Sequence, residues 1–236
     1  MRIFKYLKIE NQTRFLKNQK GEWKEMNKAV FLDRDGVITQ EPPYYAHKID
    51  QLELIPKSAE AIKGLNESGF KVIVISNQSG VARGYYQEKD IKIYNNEMKK
   101  QLEEKGAHID AIYYCPHYPE ATIKEYRIDC DCRKPKPGML KRAKKDLDLD
   151  LKCSFLIGDK MSDIEAGYRA GCKTILVLTG QGNGELKKIS EMKIKPNYIS
   201  KDLHTAIQII NRNNSGEGVN TITAKDIVEG EITYDE

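Results

Sequence analysis

The sequence predicts an α/β fold in which one parallel sheet is covered by helices on both faces. Short apolar, β-branched runs, such as residues 71–75, have the composition of strands that are buried on both sides. Amphipathic segments with helical spacing, such as Ser58–Glu67, alternate with these runs from Lys28 onward. Repeated strand–helix–strand units join parallel strands, because each crossover returns the chain to the same end of the sheet.

The predicted strands are short apolar runs that end at polar or turn-forming residues. In chain order they cover residues 28–32, 71–75, 111–114, 154–157, 174–178 and 198–199. The predicted helices carry apolar residues at intervals of three or four, and glycines stop the first two of them. They cover residues 58–67, 87–105, 137–147, 163–170 and 203–210.

The composition excludes several classes of protein. Of the 236 residues, 31% are charged and 39% are apolar, which is typical of a soluble globular protein. No run approaches the roughly 18 apolar residues of a membrane helix, and the N-terminus lacks the apolar core of a signal peptide. The net charge of +4 is small and the lysines are dispersed, which argues against a nucleic-acid partner. We therefore expect a cytoplasmic protein that binds neither membranes nor nucleic acid.

Both ends of the chain depart from the strand–helix pattern. Residues 1–25 contain no clear unit and are interpreted as an unassigned N-terminal extension. The main domain is expected to cover residues 26–211. From Asn211 onward, the sequence Asn-Arg-Asn-Asn-Ser-Gly predicts a linker, and residues 212–236 are expected to be a poorly ordered tail. A short hairpin or partner-binding segment in that tail is the alternative.

Polar side chains follow three of the predicted strands at the point where each strand ends. Asp33 and Asp35 leave the first strand. Ser76 and Asn77 follow the second strand, and Asp159 follows the fourth. In open parallel sheets, ligands bind at this edge, near the point where the strand order reverses. Two carboxylates aimed into one small space need a cation or a reacting phosphate to neutralise them, so the pattern predicts such a site.

The aspartate pair has two simpler explanations. Either aspartate could cap a helix or stabilise a turn, but this reading ignores the polar residues at the other strand ends. A calcium loop requires glycine at its sixth position and glutamate at its twelfth. Here Gly36 is the fourth residue of the Asp33 segment and the pair follows a strand, so calcium is disfavoured.

The cysteines form the second strong signal. There are five of them, and an odd number without an export signal argues against a disulfide framework. Cys115 and His117 are separated by one residue, as are Cys130 and Cys132, so each pair can point to the same side of an extended chain. Three cysteines and a histidine form a closed tetrahedral set that is typical of structural zinc. The alternative is a chance grouping of free thiols and a surface histidine.

The strand-end residues resemble the motifs of the haloacid dehalogenase (HAD) superfamily of phosphotransferases. Asp33-Arg34-Asp35-Gly36-Val37 resembles its first motif, Ser76 its second, Lys134 its third, and Gly158-Asp159-x-x-x-Asp163 its fourth. The resemblance implies a three-layer α/β/α, Rossmann-like HAD fold and a phosphoric monoester hydrolase. It leaves Asp163 open between a metal contact and a carboxylate that caps the following helix.

The same resemblance implies a role for each matching residue. Asp33 would be the nucleophile that forms an aspartyl-phosphate, and Asp35 would be the general acid and base. Asp33, Asp159 and the main-chain carbonyl of Asp35 would hold a catalytic Mg²⁺. Ser76 and Lys134 would stabilise the charge of the transition state.

A narrower resemblance covers about residues 28–210. The segments 77–84, 113–117 and 130–139 resemble the family of D-glycero-D-manno-heptose 1,7-bisphosphate 7-phosphatases. It implies an enzyme without a large cap domain, with a structural zinc loop, that removes the 7-phosphate of the sugar in heptose precursor synthesis for surface polysaccharide. The residues that would contact substrate, besides Ser76 and Lys134, are Asn77, Arg133 and Lys160.

Two other functions stay open at this point. A histidinol-phosphate phosphatase would share the aspartate motifs and the zinc loop, although Arg133 and Lys160 suit a bisphosphorylated sugar better than a cationic amino alcohol. A non-catalytic module that binds phosphosugars is a possibility of another class, but it gives no reason for an intact nucleophile and acid. We expect a monomer whose partner is a small phosphorylated sugar.

Overall fold

The computed structural model describes residues 6–8, 14–17, 23–41 and 45–215. Three short strands come first: β1 (Tyr6–Lys8), β2 (Arg14–Lys17) and β3 (Trp23–Glu25). They pair antiparallel in the order β1-β2-β3. The sequence predicts no element in residues 1–25, because strands of three or four residues are too short to show a period.

The main sheet has six strands, which alternate with helices along the chain. The strands are β4 (Ala29–Leu32), β5 (Lys71–Asn77), β6 (Ala111–Cys115), β7 (Phe155–Gly158), β8 (Lys173–Val177) and β9 (Tyr198–Ser200). The helices are α1 (Ser58–Glu67), α2 (Glu88–Glu104), α3 (Gly138–Leu147), α4 (Met161–Ala170), α5 (Gly182–Leu186) and α6 (Leu203–Ser215). Among the described residues, no helix combines the length and apolar character that a membrane span requires.

All neighbouring strands of this sheet are parallel, and their order is β6-β5-β4-β7-β8-β9. The chain therefore builds the sheet outward from β4 in one direction and then from β7 in the other. This reversal makes the β4–β7 boundary the switch point at which ligands bind in such folds. The ladder reaches Asp33, whose backbone N–H donates to the carbonyl of Ile157 at 3.0 Å. The predicted fold class is thus confirmed.

The core lies on both faces of the sheet, as the apolar strands require. Val30 and Leu32 of β4 belong to a buried cluster that includes residues of α1 and α6. Ala29 and Phe31 of the same strand belong to a second cluster on the opposite face, with residues of α3 and α4. Between β4 and α1, the described residues form one short 3₁₀ helix, Ile49–Gln51, and no cap domain.

The end of α6 differs from the sequence analysis, which predicted a linker from Asn211. The helix continues to Ser215, because Asn213 has partners in the sheet. Its Oδ1 accepts from the hydroxyl of Tyr198 at 2.8 Å and from Nζ of Lys173 at 3.1 Å. These tertiary contacts override the local preference of asparagine for turns. The remainder of the predicted tail, residues 216–236, lies outside the described residues, and the domain boundaries stay a prediction.

The packing of α1 generates a test of the core. Leu65 is fully buried in the α1–α6 cluster, so Leu65→Ala is expected to lower the free energy of unfolding by about 2–5 kcal/mol. Urea denaturation followed by circular dichroism measures this loss. The control is Lys63→Ala on the exposed side of α1, for which we expect about 0.5 kcal/mol or less. Equal losses in the two variants would contradict the assigned packing.

Candidate active site

The carboxyl edge of the sheet opens into a cleft of about 480 Å³. Its walls combine acidic, basic and hydroxyl side chains, so it suits a charged and hydroxylated ligand. It is lined by Asp33, Asp35, Glu41, Tyr45, Ala46, Ser76, Asn77, Gln78, Ser79, Arg133, Lys134, Lys160 and Ser162. The structure therefore brings together the predicted site residues, with Asp159 fully buried beside Asp33.

Lys134 is the central cation of this site. Its Nζ lies 2.9 Å from Oδ1 of Asp33 and 2.6 Å from Oδ1 of Asp163, and the side chain is 1% exposed. It also donates to the carbonyl of Ile75 at 3.0 Å. Burial alone would lower the pKa of Lys134, but the charges of Asp163 and Asp33 outweigh it and raise the pKa. Lys134 thus stays a cation between two carboxylates.

Asn77 holds the backbone of Lys134 in place. Its Oδ1 accepts from the N–H of Lys134 and its Nδ2 donates to the carbonyl of the same residue, both at 3.0 Å. The two bonds satisfy the main chain of Lys134 on both sides, so they fix where its side chain enters the cleft. Asn77 was predicted as a substrate contact, and the structure adds this positioning role.

Three carboxylates converge where β4 and β7 end. Asp33, Asp159 and Asp163 each offer an oxygen, and these oxygens lie within 4.8 Å of one another. Burial, followed by the charge of Asp33, raises the pKa of Asp159 to about 7. Burial also raises the pKa of Asp163, to about 6, although Lys134 opposes this shift. A cation that neutralises these three carboxylates would stabilise their close approach.

The residues present fit a divalent cation with oxygen ligands. Oδ1 of Asp159 is buried and accepts no hydrogen bond from the described residues; Lys160, at 3.6 Å, is its ion-pair partner. Oδ2 of Asp159 accepts from the backbone N–H of Gln181 at 2.9 Å. A buried carboxylate oxygen without a donor is the ligand that Mg²⁺ prefers. The main-chain carbonyl of Asp35 as a further ligand stays a prediction.

Two glycines make room for the Asp159 carboxylate. Gly36 has φ +86° and Gly180 has φ +57°, a region that side chains disfavour. A Cβ at either position would come within 2.2 Å of Oδ2 of Asp159. The first glycine belongs to the motif that the sequence analysis recognised, whereas Gly180 gave no signal because its partner is distant in sequence.

Asp35 is held by Arg34, which the sequence analysis did not single out. The guanidinium donates to both carboxylate oxygens of Asp35, each at 3.0 Å. Arg34 is 1% exposed, donates to Asn95 and to the carbonyl of Ala46, and lies 4.4 Å from the ring centre of Tyr94. From the sequence, a charged residue between two aspartates is expected to be solvated, and the burial of Arg34 becomes visible only in the fold. Arg34 therefore fixes the orientation of Asp35.

Lys160 and Arg133 supply positive charge to the cleft. Nζ of Lys160 lies 2.9 Å from Oε1 of Glu41, which also accepts from Nε2 of Gln181 at 3.1 Å. Arg133 donates to the carbonyl of His117 at 3.3 Å and lies 5.1 Å from the ring centre of Tyr118. Nothing in the sequence singles out Gln181.

The predicted cysteine–histidine set comes together next to Arg133. The three sulfur atoms of Cys115, Cys130 and Cys132 lie 3.1–3.4 Å apart, and Nδ1 of His117 lies 3.4 Å from the Cys132 sulfur. All four donor atoms lie within 4.8 Å of one another. Three sulfurs and one imidazole nitrogen around one point fit a tetrahedral zinc ion. The alternative of unrelated thiols does not account for this convergence.

Comparisons with known proteins agree with this geometry. Residues 131–206 match the model of the HAD-hydrolase-like family. A relative from Photorhabdus laumondii, named D-glycero-alpha-D-manno-heptose-1,7-bisphosphate 7-phosphatase, is 46% identical over 67% of this chain and 86% of its own length. This chain belongs to the heptose-1,7-bisphosphate 7-phosphatase family of HAD hydrolases.

Further members support the assignment to this family. A relative from Pasteurella multocida, named for the beta form of the same bisphosphate, is 46% identical over 66% of this chain and 84% of its own length. The crystal structure of D,D-heptose 1,7-bisphosphate phosphatase from B. bronchiseptica with magnesium and phosphate superposes with a TM-score of 0.71. That structure is 31% identical and covers 79% of this chain and 99% of its own. The expected family resemblance is confirmed.

The cysteine–histidine set generates a metal test. We expect purified protein to contain zinc and Cys130→Ser to lose most of it, because one of four ligands is removed. Elemental analysis by mass spectrometry measures the content. The control is Cys153→Ser, whose thiol lies outside the set and which should keep its zinc. Full zinc in Cys130→Ser would overturn the assignment.

Proposed function

We propose that this protein is a Mg²⁺-dependent phosphatase that hydrolyses the 7-phosphate of D-glycero-D-manno-heptose 1,7-bisphosphate. The observation that carries the proposal is the Asp33–Lys134–Asp163 arrangement, with Lys134 charged and buried at the floor of a cleft that also contains Arg133 and Lys160. The membership of the chain in the family named for this reaction supports the same conclusion.

Asp33 is the proposed nucleophile. Its Oδ1 forms an ion pair with Nζ of Lys134 at 2.9 Å and accepts from the backbone N–H of Arg34 at 2.8 Å, which leaves Oδ2 for attack on phosphorus. The attack forms a bond from Oδ2 to phosphorus and breaks the bond from phosphorus to the sugar oxygen. The product of this step is an aspartyl-phosphate and a heptose alkoxide that needs a proton.

Asp35 is the proposed general acid and base. In the first step it gives a proton to the departing sugar oxygen, and in the second it takes a proton from the attacking water. That water breaks the bond between Asp33 and phosphorus and releases inorganic phosphate. Asp35 does this from a fixed position, because the Arg34 guanidinium holds both of its oxygens. Ser76 and Lys134 stabilise the charge on the transferred phosphoryl group.

The two proposed metal ions have different roles, Mg²⁺ in catalysis and zinc in the structure of a loop. Asp33 and Asp159, with Asp163 close by, would hold Mg²⁺, which supplies neutralising charge for an anionic nucleophile that meets an anionic substrate. Cys115, His117, Cys130 and Cys132 would hold a zinc ion with no open coordination position. The zinc would order the loop that leads into Arg133 and Lys134.

Arg133 and Lys160 are the proposed contacts to the rest of the substrate, together with Asn77. Two cations at the cleft favour a second phosphate, whereas histidinol phosphate carries an ammonium group that they would repel. The two relatives named above are equally similar to this chain and are named for different anomers of the heptose. We therefore propose the bisphosphate as the substrate and test both anomers.

A direct comparison of substrates tests the proposed function. With Mg²⁺ present, kcat/KM for the α- or β-heptose 1,7-bisphosphate should exceed that for histidinol phosphate by at least about a hundredfold, which corresponds to about 2.7 kcal/mol of transition-state stabilisation. Phosphate release is the measurement, and EDTA should abolish it. Preference for histidinol phosphate, or turnover that persists in EDTA, would refute the proposal.

The nucleophile has its own test. Asp33→Asn keeps the shape of the side chain and removes its negative charge, so turnover should fall by at least about 10⁴-fold while the circular dichroism spectrum stays native. Wild-type protein quenched during turnover should carry a mass increase of one phosphoryl group on Asp33, and the variant should carry none. Substantial residual turnover in the variant would assign the attack to another group.

A further inference from the structure

Gln78 lies where β5 ends, and it connects three side chains of the site. It is 2% exposed, and its Nε2 donates to Oδ2 of Asp35 at 3.1 Å and to Oγ of Ser76 at 2.8 Å. Its Oε1 accepts from the hydroxyl of Tyr86 at 2.8 Å. Both amide hydrogens and the amide oxygen are therefore engaged. Because the Arg34 guanidinium donates to the same two carboxylate oxygens, these oxygens are acceptors, and Nε2, the donor end of the amide, is the atom that faces Asp35.

The bond to Ser76 determines what its hydroxyl can do. Ser76 is 3% exposed, lines the cleft, and its Oγ accepts from Gln78. A hydroxyl that accepts one hydrogen bond keeps a single hydrogen to donate. That hydrogen has no acceptor among the hydrogen bonds of the described residues, so it is available for an oxygen of a bound phosphoryl group.

The bond to Asp35 completes a set of donors around its carboxylate. Arg34 donates to both oxygens, Thr39 donates to Oδ1 at 3.3 Å, and Gln78 donates to Oδ2. The side chain of Asp35 is 18% exposed, so part of it still faces the cleft. Arg34 fixes the plane of the carboxylate. Gln78 fixes the position of this carboxylate relative to the Ser76 hydroxyl, the proposed phosphate contact, because its Nε2 donates to both.

Tyr86 anchors Gln78 from behind. Its ring stacks on His47 with centres 4.7 Å apart and an interplanar angle of 11°. Gly80 makes room for this ring, since a Cβ there would lie 2.1 Å from it. The Tyr86 hydroxyl is thus held by packing on its ring, and the bond it donates to Oε1 prevents the Gln78 amide from turning over.

We propose that Gln78 is a positioning residue that holds Asp35 and Ser76 in register, so that the leaving oxygen is protonated as the phosphoryl group is captured. Tyr86 is the anchor of this arrangement. The proposal rests on the function proposed above, in which Asp35 is the acid that protonates the leaving alcohol. Positioning errors of this kind lower the rate without removing any reacting group.

The dependence on the leaving group tests the proposal. A sugar alcohol leaves poorly without a proton, whereas 4-nitrophenolate leaves without one, and kcat/KM reports the steps up to departure of the leaving group. Gln78→Met keeps the length of the side chain and removes its hydrogen bonds. We expect it to lower kcat/KM for the heptose bisphosphate by about 10–100-fold, and for 4-nitrophenyl phosphate by less than about fivefold.

Tyr86→Phe removes one hydroxyl and keeps the stacked ring, so it serves as the second variant. We expect kcat/KM to fall about 3–10-fold for the heptose bisphosphate and to stay almost unchanged for 4-nitrophenyl phosphate. The control is Tyr85→Phe at the neighbouring tyrosine, which is 60% exposed. This variant should leave kcat/KM unchanged for both substrates. If Gln78→Met loses its native circular dichroism spectrum, Tyr86→Phe carries the test alone.

Asp35→Asn separates failure of the inference from failure of the proposed function. Relative to wild type, it should lower kcat/KM for the heptose bisphosphate more than kcat/KM for 4-nitrophenyl phosphate, and the difference should be larger than for Gln78→Met. If it does not, the acid role of Asp35 is wrong and the inference falls with it. If it does, while Gln78→Met and Tyr86→Phe lower kcat/KM equally for both substrates or not at all, the positioning role of Gln78 is overturned and the proposed function stands.

Discussion

The buried ammonium of Lys134 is the interaction on which the rest of the site depends. Taking an ion out of water costs several kcal/mol, and Asp33, Asp159 and Asp163 all leave water where β4 and β7 end. Lys134 compensates two of these carboxylates and also donates to the carbonyl of Ile75. Removing it would take away the cation that lies against both Asp33 and Asp163. The two Asn77 hydrogen bonds to its backbone, and the cysteine–histidine loop before it, therefore help to fix where this positive charge lies relative to Asp33.

That loop shows how the fold delivers Lys134 to the cleft. Among the described residues, the stretch between β6 and α3 contains one short 3₁₀ helix, Lys124–Tyr126, as its regular structure. A segment with so little packing of its own gains order from a metal more readily than from a hydrophobic core. Arg133 and Lys134 follow Cys132 directly, so a zinc ion held by the cysteine–histidine set would also fix where these two cations begin. Arg133 is tied to the same loop through the carbonyl of His117.

The sequence predicted the elements well where the signal was local, and less well where it was not. The amphipathic period of α1 placed Ser58–Glu67 at its observed bounds, and the strand-end motifs named Asp33, Asp35, Ser76 and Asn77, which line the cleft. Arg34 and Gln78 were missed because each is defined by partners far along the chain, such as Asn95 for Arg34 and Asp35 for Gln78. A charged or amide residue has no periodic signature, so its burial becomes visible only when the sheet places its partners around it.

The end of β5 shows why the order of its polar residues matters. Successive side chains of an extended strand point to opposite sides, so Ser76 and Gln78 share one side and Asn77 takes the other. The structure follows this rule, since Gln78 bonds to Ser76 and Asp35, whereas Asn77 turns to the backbone of Lys134. One strand end thus serves two networks, one that holds the Asp35 carboxylate and one that holds Lys134 beside Asp33. Exchanging Asn77 and Gln78 would keep the composition and break both networks, because each amide would face the wrong partner.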